Sequence, residues 1–337
     1  MKTYGRRMAV MMTGAAALAL AAVPTAQGQE KIVRFAHHHP VGSLIDMTAN
    51  KFAESVNAAK VGVNVKVFPA AQMGQEQENA EAVVYGTVDT TITGSNFFGK
   101  WVKGVGFELL PFLFKDSEHV ERAMGYGAPV TLAVQKAMAE KNAAQLFGFL
   151  DLGFRDFAMR TKPIMSADDL KNAKMRAPEI WTWIRMYQLL GSRPTPITWG
   201  EVYTAMQSGV ADGLDAPAAN LVDNKLYEVT KYVTKAGVID TPMAFTINKK
   251  LYDGLNAPQR AAVDQGAKTA LAFGTERSRE LTANAYKILR EKGIQVNELD
   301  TTPLVKMVSP MYDEYAQKNG GKEFIELVQK LRDAKGS

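Results

Sequence analysis

The fold is decided by residues 31–68, KIVRFAHHHPVGSLIDMTANKFAESVNAAKVGVNVKVF. Lys31–Ala36 is rich in β-branched and aromatic residues, which is typical of a short strand. Leu44–Ala59 then repeats its apolar residues at helical spacing, and Val61–Phe68 alternates apolar and polar residues as a strand does. This order of strand, helix and strand predicts an α/β domain with a largely parallel sheet.

The same rhythm continues with a helix expected over about Glu76–Tyr85 and a strand over Val88–Thr93. In open sheets of this kind, ligands approach the loops beyond the carboxyl ends of the strands. Those loops are His37–Ser43, Pro69–Gln75 and Gly94–Phe98. We therefore expect this domain to contribute one side of a ligand site.

A second α/β unit is predicted over about residues 153–240. The strand-like segment Gln145–Leu150 leads into Gly153-Phe154-Arg155, and Thr198 with Glu201 fits a helix capping box. These features predict a second domain, and the chain is long enough to build two domain-sized cores.

A long helical pattern runs from Asn256 to near Gly293. At a rise of 1.5 Å per residue, about 35 residues make a rod of about 50 Å, which is longer than one small domain. We therefore expect this helix to span both domains. The predicted boundaries are residues 1–28 for a signal peptide, 29–152 with about 241–275 for domain I, and 153–240 with about 276–337 for domain II.

The N-terminus has the form of a secretory signal. Three basic residues within positions 2–7 precede the apolar run Met8–Val23, and small residues up to Gly28 permit cleavage before Gln29. The apolar run is shorter than a membrane-spanning helix usually needs, which favours a cleaved signal over a retained anchor. The expected location is the periplasm.

The composition excludes several classes of protein. The chain contains no cysteine, so disulfides, thiol nucleophiles, zinc–thiolate sites and lipid anchoring through an N-terminal cysteine are ruled out. The formal net charge of +5 falls to about +2 without the three basic residues of the signal. No run of lysine and arginine indicates a nucleic-acid partner.

Three arginines, Arg155, Arg160 and Arg176, stand close together in the second unit. Arg176 lies in a short strand-like segment that stops at Pro178. A guanidinium held there is a fixed fork of donors that suits a carboxylate bound in bidentate fashion. For any one of these arginines, the alternative to a role in ligand binding is a solvated surface position or an interdomain salt bridge. Arg160, beside a turn, is interpreted as structural.

The order of motifs in this region resembles that of the solute-binding proteins of TRAP transporters, the dicarboxylate-binding P-subunit family. The resemblance rests on a Gly-x-Arg segment, a Lys-x-Arg-x-Pro strand, a Glu-Val-Tyr helix and an Asp-Gly strand. They stand here at Gly153–Arg155, Lys174–Pro178, Glu201–Gln207 and Asp212–Gly213. The matching features extend over essentially the whole chain after the signal.

The resemblance implies an α/β, two-domain periplasmic-binding-protein (type II-like) fold with a ligand cleft between the domains, which close on the ligand about a hinge. It implies that Arg176 forms a salt bridge with the ligand carboxylate, that Arg155 lies near the same site and that Trp199 lines the pocket. The implied partners are a small organic acid and the integral-membrane subunits of a TRAP permease. No cofactor is implied.

Two positions depart from the sialic-acid-binding members of that family. They have asparagine where this chain has Ala216 and Glu179, so sialic acid is not the expected ligand. Glu179 could accept hydrogen bonds from ligand hydroxyls or an amine. A surface pair between Glu179 and Arg185 is the alternative.

Further candidate ligand contacts come from the loops predicted to face the cleft. His38 is expected to hydrogen-bond the ligand directly, with His39 as the alternative. A metal site is not expected, because consecutive histidines in a strand point to opposite faces. Trp181 is expected to stack on the ligand, on the same side as Trp183 if that segment is extended. The other candidates are Glu76, Ser95, Asn96 and Asp215.

No enzyme motif is present, so we predict a receptor and not an enzyme. The expected protein is a monomeric periplasmic receptor that delivers an organic carboxylate to a TRAP permease. One alternative is the binding protein of an ABC importer or a sensor kinase. A second is a periplasmic enzyme acting on carboxylates, for which only Glu179 or Asp215 could serve as acid and base. Whether the ligand is an aromatic, keto or hydroxylated acid stays open.

Overall fold

The computed structural model describes residues 30–332, which form two lobes around a shared strand and a shared helix. Ten strands are present in this part of the chain: β1 (Lys31–Ala36), β2 (Val63–Phe68), β3 (Thr90–Gly94), β4 (Gln145–Met159), β5 (Lys174–Ala177), β6 (Arg193–Pro196), β7 (Gly213–Pro217), β8 (Tyr232–Lys235), β9 (Asp240–Ile247) and β10 (Gln295–Glu298).

The same residues form twelve α-helices, with short 3-10 turns between some of them. The helices are α1 (Leu44–Ala58), α2 (Glu76–Tyr85), α3 (Ser117–Met124), α4 (Pro129–Glu140), α5 (Trp181–Leu189), α6 (Val202–Ser208), α7 (Ala218–Asp223), α8 (Lys249–Asp253), α9 (Ala257–Glu291), α10 (Thr302–Val308), α11 (Met311–Asn319) and α12 (Lys322–Lys330).

Each lobe is built on a mixed sheet, and β4 belongs to both. In the first lobe the strand order is β2-β1-β3-β9-β4, with β1 parallel to β2 and β3 and with β9 antiparallel to its two neighbours. In the second lobe β4 lies between β7 and β8, and β5 and β6 continue the sheet in parallel beyond β7. The predicted α/β fold with two lobes is confirmed.

The crossing between the lobes lies in the middle of β4. Residues up to Phe154 pair with β9 in the first lobe, and residues from Arg155 pair with β7 in the second. The register shifts between Asp151 and Phe154. Gly153 lies within this shift and has φ +91°, a backbone conformation that residues other than glycine rarely adopt. The bend therefore places Arg155 at the start of the second-lobe half of β4, facing the junction.

Helix α9 is the second connection between the lobes. It begins at a capping box on Asn256 and contains 35 residues, about 50 Å of helix. Its N-terminal half packs on α1 through Val263 and Ala267, and its C-terminal half packs on α7 through Ala285 and Leu289. The prediction of one long helix that spans both lobes is thus confirmed.

The C-terminal helices pack on both lobes. Helices α10 and α11 pack on α5, but α12 packs on α4, and Phe324 meets Phe107 of the first lobe with ring centroids 5.2 Å apart. The chain crosses back at Gly320–Gly321. A Cβ on Gly321 would lie 2.6 Å from the backbone of Gly104, so this close crossing requires glycine.

The predicted signal peptide, residues 1–28, lies outside the described residues. Among residues 30–332, no helix has both the length and the apolar character required to cross a membrane.

Candidate functional site

A cavity lies between the lobes, where the first-lobe loops face the ends of β4, β5 and β7. It contains about 540 Å³ of space not filled by protein atoms, part of it open to solvent. We call it the primary cavity. Its lining is His38, His39, Glu76, Gly94, Asn96, Phe97, Leu109, Leu152, Arg155, Arg176, Pro178, Ile180, Trp183, Trp199, Asn220, Thr241 and Met243.

Arg176 projects from β5 into this cavity and is 4% exposed. Its Nε donates a hydrogen bond to the carbonyl oxygen of Ile197 at 2.9 Å, and its guanidinium carbon lies 5.4 Å from the ring centroid of Trp199. Within residues 30–332 the two terminal nitrogens make no hydrogen bond. Burial, followed by the charge of Arg155, lowers the pKa of Arg176 to about 10, so the group remains protonated at neutral pH.

Arg155 is held differently, because Asp215 pairs with it. The Nε of Arg155 donates to the carboxylate of Asp215, and one terminal nitrogen donates to the carbonyl oxygen of the same residue. Its guanidinium also lies 5.2 Å from the ring centroid of Trp183. This bidentate hold fixes the orientation of Arg155 and compensates much of its charge.

Asp215 is 1% exposed and is surrounded by donors. Trp183 donates through Nε1 at 2.9 Å and Tyr187 donates through its hydroxyl, in addition to Arg155. Burial alone would raise the pKa of Asp215, but the Arg155 charge and these hydrogen bonds lower it below its usual value. Asp215 is absent from the cavity lining, so it positions Arg155 and is not placed to touch a ligand.

Helix α5 explains why Trp183 and Tyr187 act together. They stand four residues apart and therefore lie on the same face of the helix. Trp181 stands two residues earlier and points about 200° away from Trp183. The expectation that Trp181 and Trp183 share a side was based on an extended segment and is wrong, because residues 181–189 are helical.

The histidine loop brings two neutral imidazoles to the first-lobe wall. Nε2 of His38 lies 3.6 Å from a carboxylate oxygen of Glu76, and the ring of His39 stacks on Trp199 with centroids 6.5 Å apart. Burial, with the neighbouring His37, lowers the pKa of His38 to about 3, and burial lowers that of His39 well below its usual value. Both rings are therefore uncharged at neutral pH.

Glu76 begins α2 and also faces this cavity. One carboxylate oxygen accepts a hydrogen bond from the N–H of Gly94 at 2.9 Å. Burial raises the pKa of the Glu76 carboxyl, an effect that the N–H of Gly94 and the charges of Arg176 and Arg155 oppose. A quarter of the side chain stays accessible, so the carboxyl can meet a ligand.

The neighbouring candidates Ser95 and Asn96 differ in position. Ser95 is fully buried and donates to the carboxylate of Glu108, away from the cavity lining. Asn96 lines the cavity, and its buried Oδ1 has no hydrogen-bonding partner within residues 30–332. Asn96 thus forms part of the cavity surface, whereas Ser95 supports the wall behind it.

Glu179 and Trp181 lie outside the primary cavity and line a neighbouring one, which we call the side cavity. It is bounded by Gln77, Asn96, Phe97, Gly99, Lys100, Lys103, Gly104, Val105, Gly106, Glu179, Ile180, Trp181, Thr182, Tyr315, Lys318 and Asn319. The alternative pair of Glu179 with Arg185 is not formed, because Arg185 instead donates two hydrogen bonds to Glu314, at 2.7 and 2.6 Å.

Several lining residues were not predicted from the sequence, among them Asn220, Thr241 and Met243. Asn220 follows β7 in α7, and its place just beyond a strand end was the available signal. Thr241 and Met243 lie on β9, which is brought to the cavity by its long-range pairing with β3 and β4. Within the described residues no cluster of three or more His, Asp or Glu side chains could hold a metal ion.

A family model described as "Bacterial extracellular solute-binding protein, family 7" matches residues 35–319. The C4-dicarboxylate-binding periplasmic protein of Rhodobacter capsulatus is 28% identical to this chain over 324 residues, covering 94% of this chain and 95% of that protein.

Solved structures give the same assignment. A TRAP periplasmic solute-binding protein from Sulfitobacter sp. NAS-14.1 with bound β-D-galacturonate is 26% identical and superimposes with a TM-score of 0.84, covering 90% of this chain and 100% of that one. A second from Polaromonas sp. JS666, bound to D-erythronate, is 26% identical with a TM-score of 0.84, covering 91% and 100%. The chain therefore belongs to family 7 of the bacterial extracellular solute-binding proteins, and it is a solute receptor of the TRAP type and not an enzyme.

Proposed function

We propose that this protein binds a small hydroxylated organic acid in the primary cavity and delivers it, in the periplasm, to the membrane subunits of a TRAP permease. We propose that it does so as a monomer. Its proposed lobes are residues 29–152 with about 241–275 and residues 153–240 with about 276–320, and they close by bending at β4 and α9. The single observation that carries this proposal is the surplus positive charge of the cavity.

That surplus lies on the second-lobe wall, where two buried guanidinium groups share one buried carboxylate; Glu76 on the opposite wall reduces it but forms no salt bridge with either arginine within residues 30–332. Asp215 pairs with Arg155, so Arg176 keeps its charge and two terminal nitrogens for a partner. A buried charge is costly unless it is paired, and the nearby like charge of Arg155 adds to that cost. A ligand carboxylate would accept two hydrogen bonds from Arg176 and neutralise this surplus.

The remaining contacts favour an acid that also carries hydroxyl groups. The first-lobe wall offers the neutral imidazole of His38, the carboxyl of Glu76 and the amide of Asn96, which suit hydroxyls better than a second charge. Trp199 gives an apolar face beside Arg176, and Arg155 is the proposed second contact to the carboxylate. The relatives with bound galacturonate and erythronate support a ligand of the sugar-acid class.

The test is substitution of Arg176. Arg176→Ala should weaken binding of a sugar acid by about 100-fold, because charge-assisted hydrogen bonds in a buried site are lost. Arg176→Lys should recover only part of this, because an ammonium cannot form the bidentate pair. Calorimetry measures the affinity, and a thermal-shift screen of organic acids supplies the ligand to use.

The control is Arg160→Ala, which removes an arginine of the same region that does not line the cavity. It should leave affinity unchanged. The melting temperature of Arg176→Ala without ligand should stay equal or rise, because a repulsive buried charge is removed. An affinity for Arg176→Ala equal to that of the unmodified protein would refute the role of Arg176 as the anchor.

A further inference from the structure

Two carboxyl groups meet at the junction between the lobes. Asp151 lies on β4 where its register with β9 begins to shift, and Asp240 is the first residue of β9, which the chain enters from β8 of the second lobe. Asp240 is 2% exposed, and within the described part of the chain neither of its carboxylate oxygens accepts a hydrogen bond from an N–H or hydroxyl group. The carboxyl of Asp151 lies within hydrogen-bonding reach of it. A buried polar group is costly without a partner, so Asp240 depends on Asp151.

The environment of the pair favours one proton on it. Burial, followed by the charge of Asp151, raises the pKa of Asp240 well above its usual value, and the nearby N–H of Thr241 opposes this only in part. Burial also raises the pKa of Asp151, which accepts a hydrogen bond from the N–H of Gly153 at 2.6 Å. Adjacent carboxyls rarely ionise together, and their protons belong to the pair. At neutral pH Asp240 therefore keeps a proton and donates it to Asp151.

The charged groups around this pair do not offset a second negative charge on it. Arg279 of α9 and Glu121 of α3 act on Asp151 with opposite sign. Arg279 is 64% exposed and lies 3.9 Å from Glu121, so its charge is shared with that surface carboxylate. Asp151 is the one charged group that acts on Asp240 within residues 30–332. Loss of the shared proton would therefore leave two like charges side by side.

Asp156, five residues later on β4, shows how the same junction holds a carboxyl that has donors. It accepts hydrogen bonds from the two N–H groups of residues 236–237, at 2.9 and 3.1 Å, and from the hydroxyl of Tyr286. Burial raises the pKa of Asp156, and these donors oppose that rise. The link from Asp156 to the segment before β9 thus needs no proton on its carboxyl, whereas the link between Asp151 and Asp240 does.

The pair joins the two strands that cross side by side between the lobes. The backbone of Arg155 on β4 exchanges hydrogen bonds of 2.8 and 2.9 Å with residues 238–239, directly before Asp240. In this structure the lobes touch across the primary cavity, where the ring of His39 stacks on that of Trp199. The protonated pair therefore connects β4 to β9 in a closed arrangement of the lobes.

We propose that the proton shared by Asp151 and Asp240 stabilises the closed arrangement of the lobes and that its loss favours an open one. With the proton in place, a hydrogen bond joins β4 to the first residue of β9. When Asp240 releases the proton to water, the pair changes from one negative charge to two, and separating the two strands at this point relieves the repulsion. This opening needs no ligand, so it can be tested whichever acid the protein binds.

The experiment measures the distance between the lobes in the purified, ligand-free protein. The chain has no cysteine, so Gln72→Cys with Thr204→Cys provides two unique sites for spin labels. Both positions are exposed, and they follow Ala71 and Tyr203, which line one crevice between the lobes. Pulsed electron paramagnetic resonance gives the ratio of short to long distances. From about pH 5 to about pH 9 this ratio should fall about tenfold, because two like charges at hydrogen-bonding distance repel by more than such a change requires.

Two substitutions assign the change to this pair. Asp240→Asn keeps a donor to Asp151 and has no proton to lose over this range, so the ratio should stay constant within about twofold. Asp151→Asn removes the like charge and should flatten the response as well, which keeps the test available if one variant fails to fold. Asp168→Asn makes the same chemical change at an exposed aspartate that pairs with Lys171, and it should retain the tenfold fall.

A ratio that does not change with pH in the protein with native aspartates would overturn the proposal. So would a tenfold fall that persists in both Asp240→Asn and Asp151→Asn, because another group would then control the opening. Denaturant unfolding provides a further check, since a carboxyl whose pKa is raised by folding contributes stability at low pH and loses it as pH rises. If Asp240→Asn changes only that profile and not the pH response of the distances, the pair is structural and the proposal is wrong.

Discussion

The two walls of the primary cavity keep their ionisable groups in opposite states. On the second-lobe wall, Arg155 and Asp215 form a buried ion pair in which hydrogen bonds and opposite charge outweigh the cost of burial, and Arg176 stays charged beside it. On the first-lobe wall, burial dominates and holds His38 and His39 neutral.

This difference follows from the number of partners each group has. Asp215 receives hydrogen bonds from three side chains. His38, in contrast, has only the carboxylate of Glu76 at 3.6 Å and the neighbouring imidazole of His37. A charged group survives burial only when it is paired and hydrogen-bonded. One wall therefore carries buried positive charge, and the other carries neutral imidazoles beside the carboxyl of Glu76.

The largest effect is expected from Asp215→Asn, which removes the charge that holds the second-lobe wall. Arg155 would be left buried without its counter-charge, next to Arg176. Breaking a buried pair in this way costs about 3–5 kcal/mol of folding free energy. Denaturant unfolding measures the loss, and affinity for the acid should change as well because Arg155 is no longer held in place.

Asp168→Asn is the matched control for this substitution. It makes the same chemical change at an exposed aspartate that pairs with Lys171. Exposed ion pairs contribute between zero and about 1 kcal/mol, so little stability should be lost. Equal losses in the two variants would mean that the second-lobe wall is not maintained by its ion pair.

Local patterns predicted the short strand that carries Arg176, and the family resemblance predicted that Arg155 lies near it. Arg176 stands in a short strand next to Pro178, and Arg155 follows a glycine that the bend of β4 requires. The hydrogen-bond network around Asp215 could not be predicted from the sequence, because its members come from β4, β7 and α5 and meet only in the folded chain. The helical α5 was also missed, and Trp181 was therefore expected on the wrong side.

The return of α12 to the first lobe shows the same limit at the scale of the fold. The strand and helix order and the long α9 follow from periodicity along the chain. Nothing in the periodicity of residues 322–330 specifies a partner, since an amphipathic helix can cover any apolar surface. The crossing at Gly321 depends on its contact with Gly104, more than 200 residues earlier.

Burial of ionisable groups behind the first-lobe wall should make the free energy of unfolding depend on pH, and Glu108 should give the clearest effect. Burial raises its pKa from 4.5 to about 7 in the folded protein, against the hydrogen bonds from Ser95 and from the N–H of Gly106. The folded state then binds more protons than the unfolded state between these values. Stability is therefore highest below about pH 4.5 and falls, for this group, as pH rises to about 7.

The loss from this one group corresponds to roughly 3 kcal/mol at most, at 1.36 kcal/mol for each pH unit. Glu108→Gln should flatten the dependence in denaturant unfolding measured from pH 4.5 to pH 8. Glu118→Gln, at a largely exposed position on α3, should leave the profile as it was. A Glu108→Gln profile parallel to that of the original protein would contradict a carboxyl held neutral by burial.

The smallest effect is expected at Glu76, where the two walls face each other. Its carboxyl lies near the charges of Arg176 and Arg155, so its negative charge weakens the field that a ligand carboxylate meets. Glu76→Gln should therefore strengthen binding of an acid without hydroxyls by a few-fold, about 1 kcal/mol or less. For a hydroxylated acid the gain should vanish or reverse, because the carboxylate is the stronger hydrogen-bond acceptor.

The pH dependence of ligand affinity provides a second test of the same prediction. Because the pKa of Glu76 is raised, lowering the pH neutralises it early and should increase the affinity of the original protein for the acid without hydroxyls. Glu76→Gln has no such proton to gain, so its affinity should stay level over that range. Calorimetry with the acid without hydroxyls and the hydroxylated acid at several pH values distinguishes two roles of Glu76. If its carboxyl only repels the ligand carboxylate, both acids should bind more tightly once it is neutral. If it also contacts ligand hydroxyls, the hydroxylated acid should lose affinity relative to the other.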